Sequence, residues 1–155
     1  KMNKMVEGKI KGIKATADLK TKPLDLKFTA VDGREVDVSK LQGKVVLIDF
    51  WATWCGPCVA ELPNVLKAYK ELHPKGFEIV GISLDSDKAE LEGFVKERGM
   101  EWPQYFDGKG WQNQISSKYG IQSIPTMWLL NKKGMVVSTA ARGGLEEQVA
   151  KLLAE

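Results

Sequence analysis

The sequence predicts an α/β domain of three layers, with helices covering both faces of a central mixed β-sheet. Three observations carry this. Val45-Val46-Leu47-Ile48-Asp49-Phe50-Trp51 is apolar on both parities, as a central strand covered on both faces must be. Downstream of it, strand and helix patterns alternate, which makes a parallel βαβ unit. Near the end, Thr126 to Leu130 and Met135 to Thr139 flank Asn131-Lys132-Lys133-Gly134, an antiparallel hairpin that makes the sheet mixed.

The elements follow in order. Residues 1–25 hold no sustained period beyond one weak helical face at Val6, Ile10 and Ile13, and are read as a basic N-terminal extension or linker. The folded domain is expected over 26–155. Leu26 to Val31 alternates, Asp32-Gly33 is a hairpin turn, and Glu35 to Val38 alternates again, so a β-hairpin precedes the core. From Pro57 to His73 apolar residues recur every three or four positions, predicting a long amphipathic helix that Pro74 and Gly76 stop. Pro63 inside it removes a backbone hydrogen bond and should kink it. Phe77 to Leu84 is a second buried strand. Asp85-Ser86-Asp87 then caps a helix carrying Leu91, Phe94 and Val95 and ended by Gly99. Trp102 to Phe106 is a short strand candidate, Gln112 to Tyr119 a helix, and Leu145 to Leu153 a closing helix.

Length and charge exclude several classes. A chain of 155 residues fits one domain. No apolar run approaches the ~18–20 residues that span a bilayer, so no transmembrane segment is expected. Residues 1–27 hold eight Lys against three acids, while the remainder carries −2. That excess lies in an aromatic-free stretch rather than over a fold surface, which argues against nucleic acid as a partner. The opening Lys1-Met2-Asn3-Lys4-Met5 shows no apolar leader of signal-peptide type.

The chemistry centres on two cysteines three positions apart, Cys55-Gly56-Pro57-Cys58, where the central strand enters the long helix. A cysteine at a helix N-terminus meets unpaired N–H groups and the positive end of the macrodipole. Its thiolate is stabilised and its pKa falls below the ~8.5 of a free thiol. Cys55 is the expected nucleophile. Cys58, one turn on, can attack a mixed disulfide at Cys55 and is the expected resolving thiol. Gly56 permits the tight entry, and Pro57 suits the first turn because its missing N–H would be unpaired there. A structural zinc site would need four ligands, and the remaining soft ligand, His73, stands at the far end of the helix, so no metal is expected. Asp49 interrupts an apolar strand; burial there should raise its pKa and make it a proton acceptor for Cys58.

Asp49-Phe50-Trp51-Ala52-Thr53-Trp54-Cys55-Gly56-Pro57-Cys58, with Ile124-Pro125-Thr126 ahead of a hairpin, resembles the thioredoxins. The upstream hairpin, the continuation Cys58-Val59-Ala60-Glu61-Leu62-Pro63 and the extra helix and strand between Asp85 and Phe106 are more similar to the TlpA/ResA-like thiol-disulfide oxidoreductases. The resemblance covers about 26–155 and implies a thioredoxin fold with an added N-terminal hairpin and a helix/strand insertion. It implies proton transfer by Asp49, an acid at Glu61 that shapes cysteine acidity, and a cis Pro125 beside the cysteine pair. It also implies a client site made of Trp54, Gly56, Pro57, Ile124 and Pro125, with the Ile124 backbone free to pair with a substrate strand. Thioredoxins carry a Lys near the buried Asp where this chain has Gly81-Ile82-Ser83, so Asp49 lacks that partner.

The expected activity is reduction of protein disulfides by dithiol exchange, since the Gly-Pro dipeptide is similar to that of reducing members. No cofactor is expected beyond the redox-active Cys55–Cys58 pair. Partners would be disulfide-containing client proteins and an upstream dithiol electron donor, the chain a monomer, and the location exported, periplasmic or envelope-associated. Alternatives are an isomerase or oxidase, a non-catalytic binding module, or a thiol peroxidase. The peroxidase family relies on a Thr three residues before its cysteine, whereas Thr53 lies two before Cys55.

Overall fold

The computed structural model describes residue 19 and residues 21–155. The weak helical face at Val6, Ile10 and Ile13 lies outside the described residues. The described part of the stretch read as an extension lies against the domain. Leu19 and Leu24 are buried in the core, and Leu24 N–H donates to Gly134 O at 2.9 Å. The packed chain therefore begins before residue 26.

A two-stranded antiparallel hairpin, β1 (Lys27–Thr29) and β2 (Glu35–Asp37), precedes the main sheet. It is shorter than the alternation suggested, but its register pairs Phe28 with Val36. Val31 N–H donates to Gln104 O at 2.9 Å, and Phe28 meets Tyr105 edge-on at 5.2 Å, so the hairpin is fastened to one side of the sheet.

The main sheet has five strands in the order β5-β4-β3-β6-β7. They are β3 (Val45–Trp51), β4 (Phe77–Ser83), β5 (Gln104–Tyr105), β6 (Thr126–Leu130) and β7 (Val136–Ser138). β3 runs parallel to β4 and antiparallel to β6, so the sheet is mixed with β3 at its centre. All seven residues of β3 are buried. Removing a Leu, Ile or Phe side chain from water stabilises the fold by roughly 1.5–3 kcal/mol each.

The helices are α1 (Gly56–Leu72), α2 (Lys88–Arg98), α3 (Gln114–Lys118) and α4 (Leu145–Leu153). α1 and α4 pack on one another. α1 carries Pro63 in its interior without a break. Alternation along β3 sends neighbouring side chains to opposite faces. The Trp51 ring lies 5.6 Å from Phe94 of α2, whereas Phe50 meets Trp128 at 4.8 Å, and Trp128 meets Tyr119, just past α3, at 5.0 Å. Asp87 caps α2 by accepting from Glu90 N–H, and Gly99 ends it at φ 67°, a left-handed conformation that favours glycine. The helix expected from Gln112 starts later. A 3-10 turn, Gly110–Gln112, comes first, and Asn113 then caps α3 by accepting from Ser116 N–H at 2.7 Å.

Candidate functional site

The site forms where β3 delivers the chain into α1. Cys55 is the N-cap of α1, in extended conformation, and its Sγ accepts a hydrogen bond from Cys58 N–H at 3.2 Å. Cys55 O accepts from Val59 N–H at 3.0 Å, which closes the first turn. Sulfur thus takes the place usually held by a Ser or Asp oxygen. On reduction the same N–H and the helix dipole stabilise a thiolate at Cys55. Cys55 and Cys58 are joined as a disulfide with Cα atoms 5.3 Å apart. Both cysteines are buried, while Trp54, Gly56 and Pro57 around them are exposed.

Opposite the helix end stand Ile124 and Pro125, joined by a cis peptide bond, with Ile124 O 3.8 Å from Cys55 Sγ. β6 pairing with β3 begins at Thr126, so the Ile124 backbone makes no backbone–backbone hydrogen bond among the described residues, and its carbonyl faces Cys55 Sγ. Thr126 Oγ1 ties this corner down by donating to Ser123 O at 2.7 Å.

Asp49 is 7% exposed in the middle of β3, between Gly81 of β4 and Met127 of β6. Burial raises its pKa to about 7, and the negative charge of Glu61 adds to the rise. Glu61 lies on the same face of α1 as Cys58, three positions on. Its side chain is 13% exposed, with Arg142 Nε 3.9 Å from one carboxylate oxygen and Asn64 Nδ2 3.4 Å from the other. Asp49 therefore has a carboxylate as its electrostatic neighbour, and the cation of the group belongs to Glu61. Arg142 is held on both sides. Ala141 N–H donates to Met127 O at 3.0 Å, and Gln148 Nε2 donates to Ala141 O and Gly143 O.

Gly81 explains why no side chain from that position reaches Asp49. A Cβ there would collide with the Gln104 side-chain amide. Gln104 is itself engaged, its Oε1 accepting from Trp51 Nε1 at 2.8 Å.

Of the Asp85-Ser86-Asp87 triplet expected to cap α2, Asp87 alone makes the cap, and Asp85 does other work. Asp85 is 1% exposed, and its carboxylate accepts from Thr53 N–H at 3.1 Å, Thr53 Oγ1 at 2.6 Å and Ser83 Oγ at 2.6 Å. It bolts the turn before Trp54 to the end of β4. Asp85→Ala strands these donors in a buried place and should cost about 2–3 kcal/mol in denaturant unfolding, against about 1 kcal/mol for the exposed cap in Asp87→Ala. Nothing local in sequence separates these two acids; pairing of Trp51 with Ser83 across the sheet does. Arg142, beside Glu61, and Trp111, whose ring lies 6.2 Å from that of Trp54, likewise carry no sequence signal, because each reaches the site from a segment far along the chain.

The Redoxin family profile matches residues 12–153. Thiol-disulfide oxidoreductase ResA of Bacillus thuringiensis (strain Al Hakam) is 33% identical over 121 residues, 78% of this chain and 68% of that protein. The thioredoxin domain of a thiol-disulfide oxidoreductase from Bacteroides vulgatus superposes with a TM-score of 0.74 at 29% identity, covering 84% of this chain and 94% of that one. A thiol-disulfide oxidoreductase from Bacteroides fragilis gives 0.69 at 29% identity, covering 84% and 99%. With a disulfide capping the helix that follows the central strand, and with these similarities over most of its length, the chain belongs to the redoxin family, as a thioredoxin-fold thiol-disulfide oxidoreductase of the ResA/TlpA-like branch.

Proposed function

We propose that the protein works in the reducing direction on client protein disulfides. The observation that carries this reading is the Cys55 sulfur held at the N-terminus of α1 by Cys58 N–H. Reduced Cys55 attacks one client sulfur as the thiolate. The client S–S bond breaks, the departing client sulfur takes a proton, and a mixed disulfide links Cys55 to the other. Cys58 gives its proton to Asp49 and attacks the Cys55 sulfur. This closes the Cys55–Cys58 disulfide and releases the second client thiol, so two electrons have passed to the client. An upstream dithiol protein returns the pair to the reduced state. The cycle needs no cofactor.

Asp49 suits the proton transfer because a group titrating near 7 can both accept and return a proton at neutral pH. Glu61, paired with Arg142, sets the field in which Asp49 titrates. The backbone of Ile124, outside the β3–β6 ladder and beside Cys55 Sγ, is suited to receive an extended client segment, with Trp54, Gly56, Pro57 and Pro125 around it. We further propose that the protein acts as a monomer on the outer side of the cytoplasmic membrane. No described helix is long and apolar enough to cross a membrane. The peroxidase alternative finds no support in the hydroxyl nearest in sequence to Cys55, since Thr53 Oγ1 donates to Asp85.

The deciding measurement is the equilibrium potential of the Cys55–Cys58 couple against glutathione. A value below about −200 mV is expected, on the side of the reducing thioredoxins; one near the −120 mV of strong periplasmic oxidants would overturn the direction.

A further inference from the structure

Three large apolar side chains stay exposed among the described residues: Trp54 at 53%, Trp111 at 44% and Val137 at 51%. Two of them lie together. The Trp54 and Trp111 rings are 6.2 Å apart and tilted by 51°, an open angle rather than a stack. Single exposed apolar residues are ordinary, but a paired, water-facing tryptophan surface beside a reactive sulfur calls for an occupant.

Trp111 is not loose. Its 3-10 turn is closed by Gln112 N–H to Lys109 O and Asn113 N–H to Gly110 O. Before the turn, the Asp107 carboxylate accepts from Lys109 N–H at 3.0 Å, Gln114 N–H at 2.8 Å and Tyr105 Oη–H at 2.8 Å. After it, fully buried Asn113 donates to Ser83 O at 3.4 Å. Trp54 is fixed from the other side, where Asp85 holds the neighbouring Thr53. Two segments from different parts of the chain, both tied to Ser83 at the end of β4, thus present one rigid apolar surface, and tryptophans of this kind dominate binding energy at interfaces with little ordering cost.

We propose that Trp54 and Trp111 form a recognition surface for a bulky apolar or aromatic side chain of the client, carried close to its reactive cysteine. The inference rests on the thiol-disulfide exchange reading and narrows its substrate class. The occupant follows from continuity with the redox site. Any client must bring a sulfur to Cys55, directly after Trp54, and neighbouring side chains of an extended segment lie roughly 3.3 Å per residue further along. Because side chains alternate along an extended segment, the one two positions from the client cysteine shares its face and falls over the two rings, whereas small disulfides without such flanks leave them bare.

The test uses the reduced protein in single-turnover reactions with three oxidised substrates. These are hydroxyethyl disulfide and the disulfide dimers of two eight-residue peptides that differ in having Phe or Ser two positions from the cysteine. The expected result is a roughly tenfold faster reaction with the Phe peptide than with the Ser peptide. That ratio should collapse toward unity in Trp111→Ala and be kept in Trp111→Phe. A wild-type ratio near unity, or a ratio unchanged by Trp111→Ala, overturns the proposal. So does a concentration-dependent dimer that Trp111→Ala abolishes in light scattering, which would assign the surface to a second copy of this chain. If the wild-type protein reduces none of the three substrates, the exchange reading itself falls; reduction without flank preference removes the surface alone.

Discussion

Replacing Cys55 by serine is expected to lower disulfide turnover by more than ~10³-fold, while replacing Cys58 by serine leaves the first half of the reaction running and stops the second. The asymmetry follows from position. Cys55 caps α1, and its sulfur receives Cys58 N–H, so it is the thiol poised to ionise. Serine at 55 keeps the cap but puts a barely ionised hydroxyl where a thiolate is needed. Serine at 58 keeps that backbone donor, because the bond comes from the main chain. Cys58→Ser should accumulate a stable mixed disulfide with client, visible on non-reducing gels and by intact mass, and discharged by added dithiol. Accumulation in Cys55→Ser instead would reverse the order of attack.

Replacing Asp49 by asparagine is expected to stabilise the protein at alkaline pH and to slow resolution. In the fold Asp49 titrates near 7; in the unfolded chain an aspartate titrates near 3.9. The native state therefore holds the proton more tightly. The stabilising contribution of the neutral form is full below about pH 4 and fades as pH rises through 7, where the buried carboxylate must charge. Asp49→Asn has no such group. Its stability should match wild type near pH 4 and exceed it at pH 8, by an amount of order 4 kcal/mol for a shift of about three units. Urea unfolding at the two pH values measures this; parallel curves would show that Asp49 is not held protonated by the fold. The kinetic counterpart is loss of the base for Cys58, about 10²-fold in the rate at which the mixed disulfide resolves. Glu61→Gln separates the two acids. Glu61 raises the pKa of Asp49 by its charge, so its removal should move the Asp49 titration in carboxyl NMR to lower pH, whereas loss of a direct proton acceptor would leave that titration in place.

The parts of the molecule that were legible in sequence are those governed by local periodicity and by one motif. β3 could be read because an apolar run on both parities has few other structural meanings, and α1 because seventeen helical residues show a clear stripe between a cap and a Pro-Gly stop. The cysteine pair was legible because its chemistry depends on spacing and on the strand-to-helix junction, both local. Boundaries of the short elements were not. β5 keeps two residues of a longer apolar stretch, and α3 starts late because Asn113, rather than Gln112, offers a capping oxygen. The surroundings of the sulfur depend on contacts between distant parts of the chain. Asp85 and Asp87 are the same residue type two positions apart, yet one caps a helix and the other holds the active-site turn. Only the pairing of β3 with β4 decides which. Arg142 faces Glu61 across eighty-one positions, and Trp111 reaches Trp54 from a turn pinned by Asp107 and Asn113.

Position 81 carries a consequence for how such sequences can diverge. Glycine there makes room for the Gln104 amide, and that amide holds the indole of Trp51. A larger residue at 81 expels Gln104, and without Gln104 the Trp51 N–H is left dry and unpaired. Substitutions at 51, 81 and 104 are therefore viable together and costly one by one. A descendant that acquires a cation at 81 beside the central aspartate must remodel the opposite strand in the same episode, so the electrostatics of the redox pair and the edge of the sheet are inherited as a block.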